Sequence, residues 1–323
     1  YRLGRGTTVN PQKAAALFSQ LAARGNGRAA RRLGDFYARG IGVELNYPRA
    51  IELYRSAIET GQASAGLALA RALSLSGQPE AALAAYETAR DAGVTHAAVQ
   101  IAIGHANAAF GSLSNPKLGV APLEEMAFSG NARAQNALLR LIERGKGPAI
   151  ADLDGLLTLA EQAAFAGEVR SVEQVLRLYR VRPRITNDTV AKRKDLLQTF
   201  GSKIRPDVAA IEQIYRLHET QLPPRYYARM LEIIAAAPRD TLARILPGLI
   251  RINRNAYIFA LQRELREQGY FNRRADGWLT GATIGAVAKF CREENITDSC
   301  RLGPLKGVAA KAIAAALAAR PAP

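Results

Sequence analysis

The sequence holds few residues of the types that carry catalysis or bind metals. The three histidines, His96, His105 and His218, are scattered, and none stands four residues from another, the spacing that places two metal ligands on one helical face. No serine lies in a nucleophile elbow, and no phosphate-cradling glycine loop joins a strand to a helix. The sequence therefore predicts a protein that is not an enzyme and needs no cofactor or metal, with His105 packed in the core.

The two cysteines, Cys291 and Cys300, lie nine residues apart near the end of the chain. Their proximity favours a small disulfide that joins a helix end to the following loop. Such a bond would place the chain in an oxidising compartment. The alternative is a pair of free thiols.

The charge balance is strongly basic, with 44 Lys and Arg against 28 Asp and Glu, or +16. Such a charge favours anionic partners, whether polysaccharide, lipid head groups, acidic proteins or nucleic acid. The basic residues are spread along helical patterns without a nucleic-acid-binding motif, so no nucleic acid is expected.

One stretch, residues 181–206, is dense in basic residues and interrupts the helical pattern around it. It predicts an anion-binding or glycan-binding patch, and the alternative is a solvated linker helix. The candidate ligands are Arg182, Arg184, Lys192, Arg193 and Lys194. A further group, Arg28, Arg31 and Arg32, is interpreted as a solvated helix face.

The elements that position these residues repeat along the chain. Glycines at five positions end a helical pattern, and a small and then an aliphatic residue follow four and eight positions later. The glycine suits the left-handed position that closes a helix, and the two residues four apart share one face of the next helix. The glycines are Gly25, Gly61, Gly93, Gly130 and Gly167. The small residues four positions later are Ala29, Ala65, Ala97, Ala134 and Ser171. The aliphatic residues eight positions later are Leu33, Leu69, Ile101, Leu138 and Val175.

The unit from Ala14 to Ala50 resembles the Sel1-like repeat, a relative of the tetratricopeptide repeat. The resemblance rests on its Gly25-Asn26 and Leu33-Gly34-Asp35 steps and on the Gly40 and Gly42 loop. It is strongest over residues 1–70 and fades towards 250. The resemblance implies an all-α, right-handed superhelical solenoid of helix-turn-helix repeats that binds protein partners.

The C-terminal stretch from Ile258 to Cys291 resembles the three-helix peptidoglycan-binding-like domain. Leu261-Gln262, Gly269-Tyr270, Asp276-Gly277 and Phe290 carry this resemblance, whereas Thr280 and Cys291 depart from the family pattern. The resemblance implies a small helical bundle and makes Arg273, Arg274 and Trp278 candidate glycan or anion ligands. Trp278 could stack on a sugar ring or could fill the core of the bundle.

The predicted organisation has three parts: repeats over 1–180, degenerate hairpins over 181–254 and the peptidoglycan-binding-like module over 255–323. The resemblance implies a periplasmic scaffold for envelope or exopolysaccharide-secretion proteins, with anionic polysaccharide or peptidoglycan as further partners. The alternatives are a peptidoglycan-binding sensor or polarity factor and an accessory region of a glycan-processing enzyme. Because the chain begins inside a repeat, the natural N-terminus is expected to lie before Tyr1, in a part that would carry any signal peptide or membrane anchor.

Overall fold

The computed structural model describes residues 9–145 and 150–320, and within them every regular element is a helix. The prediction of an all-α fold is confirmed. The chain divides into two compact units, residues 1–158 and 159–323.

Unit 1 is a series of helical hairpins in which each helix from α1 to α7 packs on the next. Two 3-10 turns, Ala63–Ala65 and Gly111–Leu113, join successive helices. The α-helices are α1 Pro11–Ala23, α2 Gly27–Tyr37, α3 Tyr47–Glu59, α4 Gly66–Leu75, α5 Pro79–Asp91, α6 Ala97–Ala106, α7 Pro116–Phe128, α8 Ala132–Arg144 and α9 Leu153–Phe165, the last of which crosses into unit 2.

The predicted repeat register is confirmed by the backbone and by burial. All five register glycines adopt positive φ angles between 74° and 88°. The residues four positions later are buried in the first four units, and Leu33, Leu69 and Leu138 are buried as well. Asparagine side chains cap several of these helices, as Asn10 does for α1 and Asn46 for α3.

Unit 2 contains helices α10 Val169–Val181, α11 Thr189–Phe200, α12 Pro206–Thr220, α13 Arg225–Ala236, α14 Leu242–Ile252, α15 Arg254–Glu267, α16 Gly281–Glu293, α17 Thr297–Cys300 and α18 Gly307–Ala319. A 3-10 turn, Arg239–Thr241, precedes α14.

An apolar core in unit 2 runs from Ala210 in α12 to Leu317 in α18. Helix α18 packs extensively on α14, so the C-terminal helices share their core with the hairpins that precede them. The division between compact units lies at 158/159, and the predicted boundaries at 180/181 and 254/255 stay predictions from the sequence. None of the described helices is long and apolar enough to cross a membrane.

Candidate functional site

The structure separates the five basic residues predicted between 182 and 194. Arg184 and Lys194 are exposed and Arg182 is half-buried, whereas Lys192 and Arg193 make ion pairs within the fold. The five side chains therefore do not form one exposed group, and anion or glycan binding by them stays a prediction. Two of the five cations are neutralised by carboxylates of their own chain, which reduces their attraction for an external anion.

Arg193 lies at the centre of a buried charged cluster on α10, α11 and α12. Only 4% of it is exposed, and its Nη2 donates to Glu219 at 2.8 Å while Nε lies 3.7 Å from Glu212. Its guanidinium stands 4.5 Å from the centre of the Tyr215 ring. Arg180 donates to the same Glu212 carboxylate. The cluster joins the three helices through buried side chains. In a solvated linker helix, the alternative prediction, these side chains would face water.

The charged groups at the centre of this cluster, Arg193 and Glu212, are buried away from water. Burial raises the pKa of the Glu212 carboxyl to about 7, and the arginine charges act in the opposite direction. Removal of one partner from such a cluster leaves an uncompensated buried charge, which costs about 3–5 kcal/mol. Arg193 is therefore a structural residue of unit 2.

Lys192 is held by Glu161 on the neighbouring helix α9. Its Nζ lies 2.9 Å and 2.8 Å from the two Glu161 oxygens and 3.1 Å from Asp188. The hydrogen bond from Lys192 to Glu161 is the main reason that the lysine pKa is raised.

The predicted C-terminal ligands Arg273, Arg274 and Trp278 all belong to the loop between α15 and α16, and all three are exposed. Trp278 is 63% exposed and does not fill the bundle core. The loop thus presents an indole and two guanidinium groups to solvent.

The buried side chain of Gln262 holds this loop in place. Its Oε1 accepts hydrogen bonds from the backbone N–H groups of Asp276 and Gly277, each at 2.9 Å. Its Nε2 donates to Asp276 Oδ1 at 2.9 Å and to the Trp278 carbonyl at 3.0 Å. Asp276 Oδ1 also accepts from the Trp278 N–H at 2.9 Å. Trp278 is therefore exposed on a turn that the side chains of Gln262 and Asp276 hold by hydrogen bonds.

A disulfide joins Cys291 at the end of α16 to Cys300 in α17, with 6.5 Å between their Cα atoms.

His105 is buried in unit 1, where its Nδ1 accepts from the Asn115 N–H at 3.2 Å and its ring packs edge-on against Phe110. The predicted packing role of His105 is confirmed. Over the described ranges, no three His, Cys, Asp or Glu side chains are grouped so that they could hold a metal ion.

A groove in unit 2 is a further candidate that the sequence did not indicate. It has a volume of about 710 Å³ and lies between the end of α11, α12 and α13. Apolar and small residues form most of its surface: Leu197, Ile204, Pro206, Ala209, Ala210, Leu217, Ile233, Ala236, Ala237 and Pro238. Polar side chains, among them Gln213, Arg216 and Arg229, lie along it. Such a groove can take up an apolar helix face with a polar edge.

The Sel1 repeat family matches residues 1–26 and 27–61 of this sequence. That is the stretch in which the repeat is clearest. The chain is a repeat protein. No match was found among curated protein sequences.

Two solved structures are similar to the chain. A Sel1 repeat protein from Oxalobacter formigenes is 22% identical, and the match covers 63% of this chain and 84% of that one, with a TM-score of 0.45. A protective antigen of uropathogenic Escherichia coli, described as displaying an SLR fold, is 15% identical over 95% of this chain and 67% of its own, with a TM-score of 0.51. The second similarity supports the fold alone.

The Asp276 carboxylate gives the Trp278 turn a defined response to acid. The backbone hydrogen bond from Trp278 and then the Gln262 amide lower the pKa of Asp276 below its usual 3.8. A lowered carboxyl pKa means that the ionised group stabilises the turn above pH 4 and that this contribution is lost as the pH falls through the lowered pKa. Fluorescence of Trp278, the one tryptophan in the sequence, should therefore change only below pH 3.8.

The matched control is Asp276→Asn, which keeps an acceptor oxygen and the side-chain size but does not titrate. We expect the acid transition in fluorescence to be absent from this variant, while far-UV circular dichroism shows that both proteins stay helical. An identical transition in Asp276→Asn would contradict the assignment.

Proposed function

We propose that the chain is a non-catalytic scaffold that binds protein partners in the periplasm, in the assembly of the envelope or the secretion of exopolysaccharide. Sel1 repeats commonly mediate protein–protein interactions, and scaffolds of this fold are typically non-catalytic. The observation that carries the proposal is the groove of unit 2 between α11, α12 and α13. The disulfide supports an oxidising compartment.

The groove suits an amphipathic helix of a partner protein. Its floor contains Ile204 and Ala210, both buried, and the side chains along α13 leave Ala236 exposed at the end of the helix. A volume of about 710 Å³ is large enough for several apolar side chains. These features favour a partner segment with apolar residues at helical spacing.

Charge favours acidic residues on the polar edge of that partner helix. Arg216 lies on the groove, and within the described residues no carboxylate is within ion-pair distance of it. Arg229 and Glu232 also line the groove and pair with each other at 2.5 Å, so the net positive charge there comes from Arg216. The chain as a whole carries +16, so an acidic partner is attracted over longer distances as well.

Site-specific photo-crosslinking in the native envelope tests the proposal. A photoreactive amino acid at Ala236 lies in the groove, and the same amino acid at Ala228 lies on the same helix, is also exposed and is outside the groove. We expect a discrete crosslinked protein from position 236 and none from position 228. Equal products from both positions, or no product from either, would count against the groove as a binding site.

A second candidate function is peptidoglycan binding through the C-terminal loop. It is favoured by the exposure of Trp278, Arg273 and Arg274 on one loop, since an indole can stack on a sugar ring and guanidinium groups bind carboxylates. Retention of the chain on purified sacculi, lost in Trp278→Ala, would support this candidate. Retention unchanged in Trp278→Ala would exclude this loop as the glycan site.

A further inference from the structure

Three arginines on the first turns of α2 line a small cavity together with one amide. The cavity has a volume of about 140 Å³, and its lining residues are Arg28, Arg31, Arg32 and Gln62. All four side chains carry N–H donors, and three of them are positively charged. We call this set the arginine cradle.

The local packing holds the cradle in place. Gly27 has no side chain, and a Cβ atom there would lie 2.0 Å from Thr60 Oγ1 and 3.1 Å from Gln62 Cγ. The start of α2 therefore contacts the turn after α3 directly, which brings Gln62 beside the arginines. Arg31 Nη1 donates to Ser64 Oγ at 3.2 Å, which orients its guanidinium.

The positive charge of the cradle is poorly compensated from within. No acidic residue lies in the first turn of α2, where the helix dipole already places partial positive charge. Arg32 approaches Asp35 at 3.5 Å, but the other oxygen of Asp35 accepts a hydrogen bond from the Tyr54 hydroxyl at 3.0 Å. Three cations spaced i, i+3 and i+4 repel one another, so a bound anion would stabilise this face.

The repeat itself does not require these arginines. In the second unit, the positions equivalent to Arg28, Arg31 and Arg32 hold Ser64, Leu67 and Ala68. The helical hairpin thus forms without them.

We propose that the arginine cradle binds a carboxylate group of a partner protein. Guanidinium groups match a carboxylate with paired hydrogen bonds. A cavity of about 140 Å³ is well below the roughly 300–1,000 Å³ of sites for whole small molecules, so it accepts one charged group. An extended polyanion would favour the same cations in successive repeats, and the second unit lacks them.

This inference rests on the proposed protein-binding role but places a contact in unit 1, separate from the groove of unit 2. The two sites can therefore fail independently. Loss of crosslinking at Ala236 with the cradle still active would reject the groove alone, and the reverse result would reject the cradle alone.

The test is an NMR titration of the full chain with a tetraglutamate peptide, followed through the arginine Nε–H signals. The variant is Arg28→Gln, because Arg28 is exposed and lines the cavity. The control is Arg39→Gln, which removes the same charge from an exposed position outside the cavity. We expect Arg28→Gln to weaken binding about tenfold, as for loss of a charge-assisted hydrogen bond, and Arg39→Gln to leave it nearly unchanged.

Three results would overturn the proposal. The first is equal weakening in both variants, which would show attraction by net charge alone. The second is no binding of the peptide to the wild-type chain. The third is tighter binding of inorganic phosphate or of an oligogalacturonate than of the peptide, which would assign the cradle to a phosphate or polysaccharide ligand.

Discussion

Close approach of neighbouring helices is the constraint on which the rest of the structure depends. At Gly119 in α7, a Cβ atom would lie 2.3 Å from the backbone nitrogen of Ala106 and 2.6 Å from the carbonyl oxygen of Ala102 in α6. At Gly34 in α2, it would lie 2.7 Å from the Tyr54 ring. Such positions exclude any side chain unless the helices separate, and separation would lose contacts throughout the closely packed core. The same requirement at the start of α2 forms the arginine cradle.

Unit 2 adds a second means of holding helices together to its apolar packing. Buried charges join α10, α11 and α12, with both Arg180 and Arg193 close to the Glu212 carboxylate. Buried ion pairs add little net stability compared with apolar packing, but they penalise arrangements that leave a charge unpaired. We infer that the cluster fixes how these three helices align. The groove opens beside them, so its shape depends on that alignment.

Local patterns allowed much of the fold to be predicted from the sequence. The step from Gly25 to Ala29 and Leu33 reports helix periodicity and a left-handed helix end, and both are properties of a few adjacent residues. The burial and ion pairing of Arg193 could not be predicted in this way, because they depend on Glu212 and Glu219 of another helix. The groove was missed for a related reason. Its lining residues come from three helices. In the sequence of each helix taken alone, the apolar residues have the pattern of ordinary core positions.

The central claim is that this chain holds other proteins together through its helical hairpins. Affinity co-purification of the tagged full-length protein from cells that express it, with mass spectrometry of the bound material, tests that claim most directly. The account predicts recovery of a defined set of proteins that synthesise, export or modify an envelope polysaccharide. Recovery of muropeptides and cell-wall enzymes without such proteins would contradict it and would favour a wall-binding sensor.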